Sequence, residues 1–180
     1  MINQGTTLLE LAAIVSSALE HSGIVATLSG GAVVSICSQN RYESEDLDFV
    51  TAAHVKELAY ALEPLGFRHI GRPRLSVFDH PETVWYLEFP PAPLTFGSRY
   101  IDPPVCNIVK TELGSLRIIT PTHSVMDRLI AAAAWNDPQS LEQAILVAEM
   151  QVDSINWDEL NEWIRSEDIA TDKSVVEFYK

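Results

Sequence analysis

Residues 28–50 read L-S-G-G-A-V-V-S-I-C-S-Q-N-R-Y-E-S-E-D-L-D-F-V, and the rest of the chain is organised around them. A short apolar run at 24–28 leads into Ser29 and the pair Gly30 and Gly31, followed by Ala-Val-Val-Ser-Ile-Cys. That order predicts a strand, a tight turn and the start of a helix over roughly 29–39. Glycine lets backbone approach a ligand closely, and the N–H groups exposed at a helix start attract anions such as phosphate. At the other end Asp46 and Asp48 alternate with Leu47, Phe49 and Val50. The alternation predicts a second strand with both carboxylates on one face. Adjacent carboxylates repel unless a cation or a proton lies between them. A phosphate-binding turn facing a carboxylate pair is the layout that metal-assisted phosphoryl or nucleotidyl transfer requires. On the intervening loop, Arg41 is placed to touch a triphosphate and Ser44 to order the loop, with a solvated loop as the alternative for each.

The glycine pair followed by Asp-x-Asp on the next strand resembles the signature of the DNA polymerase beta-like nucleotidyltransferase superfamily. The fuller string, G-G-A-V and then R-Y-E-S-E-D-L-D-F, is similar to the AbiEii-type branch, which includes toxins of toxin–antitoxin systems. The resemblance implies magnesium or manganese held by Asp46 and Asp48, with an NTP as substrate. It also implies Ser29, Gly30 and Gly31 around the phosphates. A third carboxylate is expected from a later strand: Glu88, which alternates with Leu87 and Phe89, fits that place, with Asp79 second in order. In the AbiEii-type branch a helix after the sheet carries a lysine facing the nucleotide. Here that stretch reads D-R-L-I-A-A-A-A-W, so the resemblance assigns the role to Arg128, a chemically suitable but not equivalent phosphate partner. An antitoxin-like partner is implied by the same branch.

The whole chain narrows the substrate. Among 180 residues, 25 are acidic and 12 are Lys or Arg, a net charge of −13 with His neutral. Nucleic-acid affinity comes largely from basic residues neutralising phosphates. A nucleotide with a small-molecule or protein acceptor is therefore expected rather than a long polynucleotide, although Arg68, Arg72 and Arg74 form one basic cluster. No apolar run of membrane-spanning length occurs, and the first residues lack a signal-peptide pattern, so no membrane role and a cytoplasmic location are expected. Cys37 and Cys106 read as buried free thiols, and the four tryptophans as packing residues. The five histidines have no zinc-type spacing, and neither a Gly-x-Ser-x-Gly elbow nor a P-loop is present.

The expected fold is α+β: a mixed, mainly antiparallel sheet flanked by helices over residues 1–119, with a helical C-terminal region over 120–180 packed on it as one unit. Helices are expected over 6–21 and 53–65, and strands over 67–70, 75–78 and 83–89. The proline-rich stretch 90–104 reads as a connection with little room for ladder hydrogen bonds, whose Arg99 and Tyr100 could stack on a base or hold phosphate. A hairpin follows over 105–111 and 115–119. Thr120-Pro121, Asp137-Pro138 and Asn156-Trp157 each carry helix-start chemistry, and the last residues read as a short, loosely held helix.

Overall fold

The sheet grows outward from the aspartate strand. In the computed structural model, which describes residues 2–70 and 76–180, the first elements are helix α1 (Leu8–His21), strand β1 (Ala26–Ser29), helix α2 (Gly30–Cys37), strand β2 (Asp46–Thr51) and helix α3 (Val55–Leu62). Strands β3 (Arg68–Ile70), β4 (Val77–Asp79), β5 (Tyr86–Glu88), β6 (Leu94–Phe96) and β7 (Arg99–Ile101) follow. The chain continues with β8 (Asn107–Thr111) and β9 (Gly114–Ile118), and then with helices α4 (Pro121–Trp135), α5 (Pro138–Met150), α6 (Trp157–Ser166) and α7 (Lys173–Phe178). Seven strands form one sheet in the order β3-β4-β5-β2-β1-β9-β8. The β2–β5 and β1–β9 pairs are parallel and the rest antiparallel, as expected of a mixed, mainly antiparallel α+β sheet. Of the strand expected at 75–78, Leu75 lies outside the described residues, as do Arg72 and Arg74 of the basic cluster.

Period-two patterning decides which face of β2 is buried. Leu47 and Phe49 have no exposed surface and join Leu28, Phe78 and Leu87 in the core, while Asp46 and Asp48 are half-buried on the other face. Helix α1 begins with a capping box: the Thr7 hydroxyl accepts from the Glu10 N–H, and the Glu10 carboxylate accepts from the Thr7 N–H. Its Ser16 and Ser17 hydroxyls accept from the N–H groups of Arg117 and Ser115, fixing the helix on β9. Helix α2 ends at Ser38, and the next two residues, Gln39 and Asn40, both adopt positive φ and turn the chain back toward β2.

Three sequence expectations need correction. The proline-rich stretch contains a two-stranded hairpin, β6–β7, turned at Gly97 (φ +61°). Its strands are proline-free, and the flanking prolines still accept hydrogen bonds: the Thr51 N–H donates to the Pro90 carbonyl at 3.2 Å. The C-terminal helix is held rather than loose, because Val175 is buried and the Phe178 ring packs on Trp157. The tryptophans divide: Trp163 is fully buried, whereas Trp135 is 82% exposed. Two expectations stand, the three helix caps and the two thiols. Thr120, Asp137 and Asn156 each cap the helix that follows through a side-chain oxygen. Cys37 and Cys106 are buried free thiols. Among the described residues no helix is long and apolar enough to cross a membrane.

The helical C-terminal residues are tied to the sheet-bearing part at specific atoms. The Gln151 side-chain amide donates to the Cys37 carbonyl at the end of α2 (2.8 Å), and the Trp163 indole N–H donates to the Phe96 carbonyl in the β6–β7 hairpin (3.2 Å). Trp163→Phe keeps an aromatic ring but leaves that carbonyl without its donor, and should cost about 1–2 kcal/mol in urea unfolding. Trp163→Ala should cost about 3–5 kcal/mol through the cavity it opens.

Candidate active site

Strand register brings three carboxylates together. In the parallel β2–β5 pair Asp46 lies opposite Tyr86 and Asp48 opposite Glu88, so Asp46, Asp48 and Glu88 project from neighbouring positions on the same sheet face. Each offers an oxygen within 4.8 Å of the others, and all three are half-buried. The donor set is hard oxygen only, which suits Mg²⁺ or Mn²⁺ and not a cation that prefers thiolate or imidazole. The three acids therefore fit a divalent metal on their own chemistry. Asp79, the other acid considered from sequence, is exposed at the end of β4 and lies outside this group.

Glycine decides how closely α2 approaches the acids. Gly30 has φ +68°, a left-handed conformation, and a Cβ there would overlap the Asp48 carboxylate. The backbone at the start of α2 thus lies directly against Asp48. A Cβ on Gly31 would come within 2.8 Å of Ser44 Oγ and 3.3 Å of Tyr42 Oη, so the second glycine lets the incoming loop pack on the helix. Ser44 is buried there: its N–H donates to Ser35 Oγ (2.9 Å) and its hydroxyl donates to Asp46 Oδ1 (3.1 Å).

No family model and no curated protein matches this sequence. Solved structures do match the fold. The antigenic nucleotidyltransferase-like protein from Paracoccidioides brasiliensis superimposes with a TM-score of 0.61 at 12% identity, covering 97% of this chain and 94% of that one. The antibiotic-resistance factor ANT(2'')-Ia, in its complex with adenylyl-2''-tobramycin, superimposes with a TM-score of 0.57 at 14% identity, covering 89% and 95%. Its solution structure gives 0.53 at 16% identity, covering 91% and 93%. The chain has a nucleotidyltransferase-like fold.

Within the nucleotidyltransferase-like fold, a cleft beside Asp48 is walled by Ser29, Gly30, Pro90, Leu94, Asp127 and Arg128. Of the residues assigned to phosphate from sequence, Ser29, Gly30 and Arg128 line this cleft, whereas Gly31 sits beneath Ser44 and Arg41 is exposed on the loop. The Ser29 hydroxyl makes no cap on α2 and reaches the Asp48 carbonyl only at 3.5 Å. Arg128 is strongly engaged: it donates to Asp127 Oδ2 at 2.6 Å and to Gln143 Oε1 at 3.2 Å. Arg99 pairs with Glu159 (2.9 Å) and Tyr100 is exposed, and neither lines the cleft. The proline-rich stretch contributes instead through Pro90, Pro91 and Pro93 and through Leu94 and Thr95 of β6. Asp127 was legible in sequence only as the neighbour of Arg128. Tyr86 was legible as the residue two before Glu88 on the same strand face.

The electrostatics of the site follow from its geometry. Burial, followed by the charges of Asp46, Glu88 and Asp127, pushes the Asp48 carboxyl from an ordinary 3.8 up to about 7, with Arg128 pulling the other way. Burial and then Asp46 push Glu88 up as well. The Tyr86 phenol is raised by burial and then by Asp46 and Glu88. Between about pH 4 and pH 7 the folded protein therefore holds the Asp48 proton more tightly than the unfolded chain does, so stability falls as pH rises through that window. Without divalent metal, Asp48→Asn should melt with wild type near pH 4 and increasingly above it toward pH 8. Added Mg²⁺ or Mn²⁺ should close that gap by stabilising wild type alone. Gly30→Ala should cost about 1–3 kcal/mol by forcing a side chain into a left-handed conformation and should weaken metal-induced stabilisation by displacing Asp48.

Proposed function

We propose that this chain is a metal-dependent nucleotidyltransferase that moves a nucleoside monophosphate from an NTP to a hydroxyl of an acceptor. The observation that carries this reading is the convergence of Asp46, Asp48 and Glu88 within 4.8 Å, with the Gly30 backbone packed directly against the Asp48 carboxylate. Asp46, Asp48 and Glu88 would hold Mg²⁺ or Mn²⁺, which when bound supplies charge neutralisation for the triphosphate and the departing pyrophosphate. Backbone N–H groups at Ser29 and Gly30, which line the cleft, receive the outer phosphates. The acceptor oxygen forms a bond to the α-phosphorus as the bond from that phosphorus to the bridging oxygen breaks. Glu88, opposite Asp48 on the neighbouring strand, takes the hydroxyl proton, and the bond electrons leave with pyrophosphate. Ser44 keeps Asp46 oriented through the 3.1 Å hydrogen bond.

A small-molecule acceptor is favoured over nucleic acid by the net charge of −13. The adenylylated tobramycin held by the neighbour of known structure points the same way. A toxin-like role with an antitoxin-like partner rests on the AbiEii-type sequence resemblance, and an acidic surface suits a basic partner. One observation favours a second reading, a nucleotide-binding or protein-interaction module of the same fold without transfer activity. The charge of Arg128 is taken up by Asp127 at 2.6 Å rather than left free in the cleft.

Titration of ATP, GTP, CTP and UTP with and without Mg²⁺, followed by thermal shift, tests the site. One NTP should stabilise the protein only with metal, and Asp48→Asn should lose the effect. With α-labelled NTP and an active acceptor, Asp46→Ala should lower transfer on the order of a thousandfold, equivalent to about 4 kcal/mol of lost transition-state stabilisation. Unchanged transfer in that variant would overturn the mechanism, and metal-dependent NTP binding without transfer to any acceptor would favour the second reading.

A further inference from the structure

We infer that a separate cavity beside the carboxylate triad is the acceptor site and that it selects a hydroxyl-bearing organic cation, such as an amino sugar. The inference rests on the nucleotidyl-transfer reading for its role, but not for the binding itself. The cavity has a volume of about 550 Å³ and is lined by Leu8, Glu43, Glu45, Val84, Trp85 and Tyr86, among others. That volume suits a small organic molecule. It opens at the leading ends of β2 and β5, on the loop that delivers Asp46.

Two contacts join it to the triad. Ser44, which also lines it, donates to Asp46, and Tyr86 lies opposite Asp46 in the β2–β5 register. A molecule filling this cavity thus touches the residues next to Asp46 without occupying the cleft of Ser29, Gly30 and Arg128, which is lined by a different set of residues. A two-substrate transfer needs a second chamber near the acids, and this one reaches Asp46 through Ser44 and Tyr86 while the cleft reaches Asp48.

The chemistry of the walls specifies the occupant. Glu43 and Glu45 are exposed, and among the described residues neither is engaged in a salt bridge and no Lys, Arg or His lines the cavity. An anionic ligand would meet uncompensated repulsion there, whereas ammonium groups would gain charge-assisted hydrogen bonds. Trp85, Tyr86 and Val84 supply an aromatic and apolar wall, and aromatic faces attract cations and pack on the C–H face of a sugar ring. Carboxylates on one side and aromatic rings on the other fit a polar, amine-bearing molecule with an apolar face.

The test uses the intact protein without nucleotide or metal. Chitotriose, a trimer of glucosamine carrying free amines, is titrated by calorimetry against its N-acetylated form, which has the same sugar rings and no charge. The free amine should bind, at least about tenfold more tightly than the acetylated trimer, a difference of about 1.4 kcal/mol. Glu43→Gln/Glu45→Gln, exposed substitutions that keep the fold, should erase that preference. In a ¹H–¹⁵N spectrum the Trp85 indole signal, assigned with Trp85→Phe, should shift while that of exposed Trp135 stays in place. Equal affinity for the two trimers, no binding of the free amine, or a preference that survives in the double variant would each overturn the assignment. Because Mg²⁺-dependent NTP binding is measured separately, failure here leaves the transfer reading standing. Conversely, amine binding without NTP binding would keep the cavity and remove its catalytic role.

Discussion

Mutual repulsion among Asp46, Asp48 and Glu88 is the constraint around which the molecule is arranged. Carboxylates free to move would separate and solvate independently, but these three are fixed by main-chain pairing. Leu47, Phe49 and Leu87 alternate with them and are fully buried, so each strand is anchored by its apolar side while its acidic side is held in an unfavourable cluster. Rotating either strand to relieve the charges would expose that core. Hydrophobic burial thereby sustains an electrostatic arrangement that becomes favourable only when a cation or a proton enters it.

The same logic explains the surrounding devices. Gly30 removes the one side chain that would strike Asp48, and Gly31 removes the one that would strike Ser44. Ser44 then satisfies Asp46 with a hydroxyl, which orders the acid without neutralising it. Arg128 moderates the charge on Asp48 while Asp127 opposes that effect, so the one basic residue that lines the cleft among the described residues does not cancel the triad. On the far side, the prolines before the β6–β7 hairpin close the cleft with backbone that Trp163 anchors to α6. Helices distant from the acids in sequence thus complete the wall opposite the glycine turn.

Much of this was legible before the structure. The Asp46–Asp48 alternation and the glycine pair gave the strand–turn–helix order, and the capping residues Thr120, Asp137 and Asn156 gave three helix starts, because these signals are local and their geometry is set within a few residues. The hairpin inside 94–101 was not legible. Prolines suppress strand signals on average, but here they flank the paired residues rather than interrupt them. Arg99 and Arg41 read as phosphate ligands because arginine suits phosphate wherever it occurs. Which arginine is free depends on partners such as Glu159, 60 residues away in sequence, and no local pattern records that.

The sequence by itself determined the acid types, their shared strand face, the glycines that allow close approach and the acidic balance that disfavours long nucleic acid. Tertiary structure alone decided that Glu88 rather than Asp79 completes the triad, because that choice depends on the parallel register of β2 with β5. It alone paired Asp127 with Arg128 and opened a cleft at Asp48 apart from the cavity at Ser44 and Tyr86. Local patterning sets which way a side chain points from its own strand. Which charges meet is decided by contacts between segments far apart in sequence, whose registers are settled only when the core is packed.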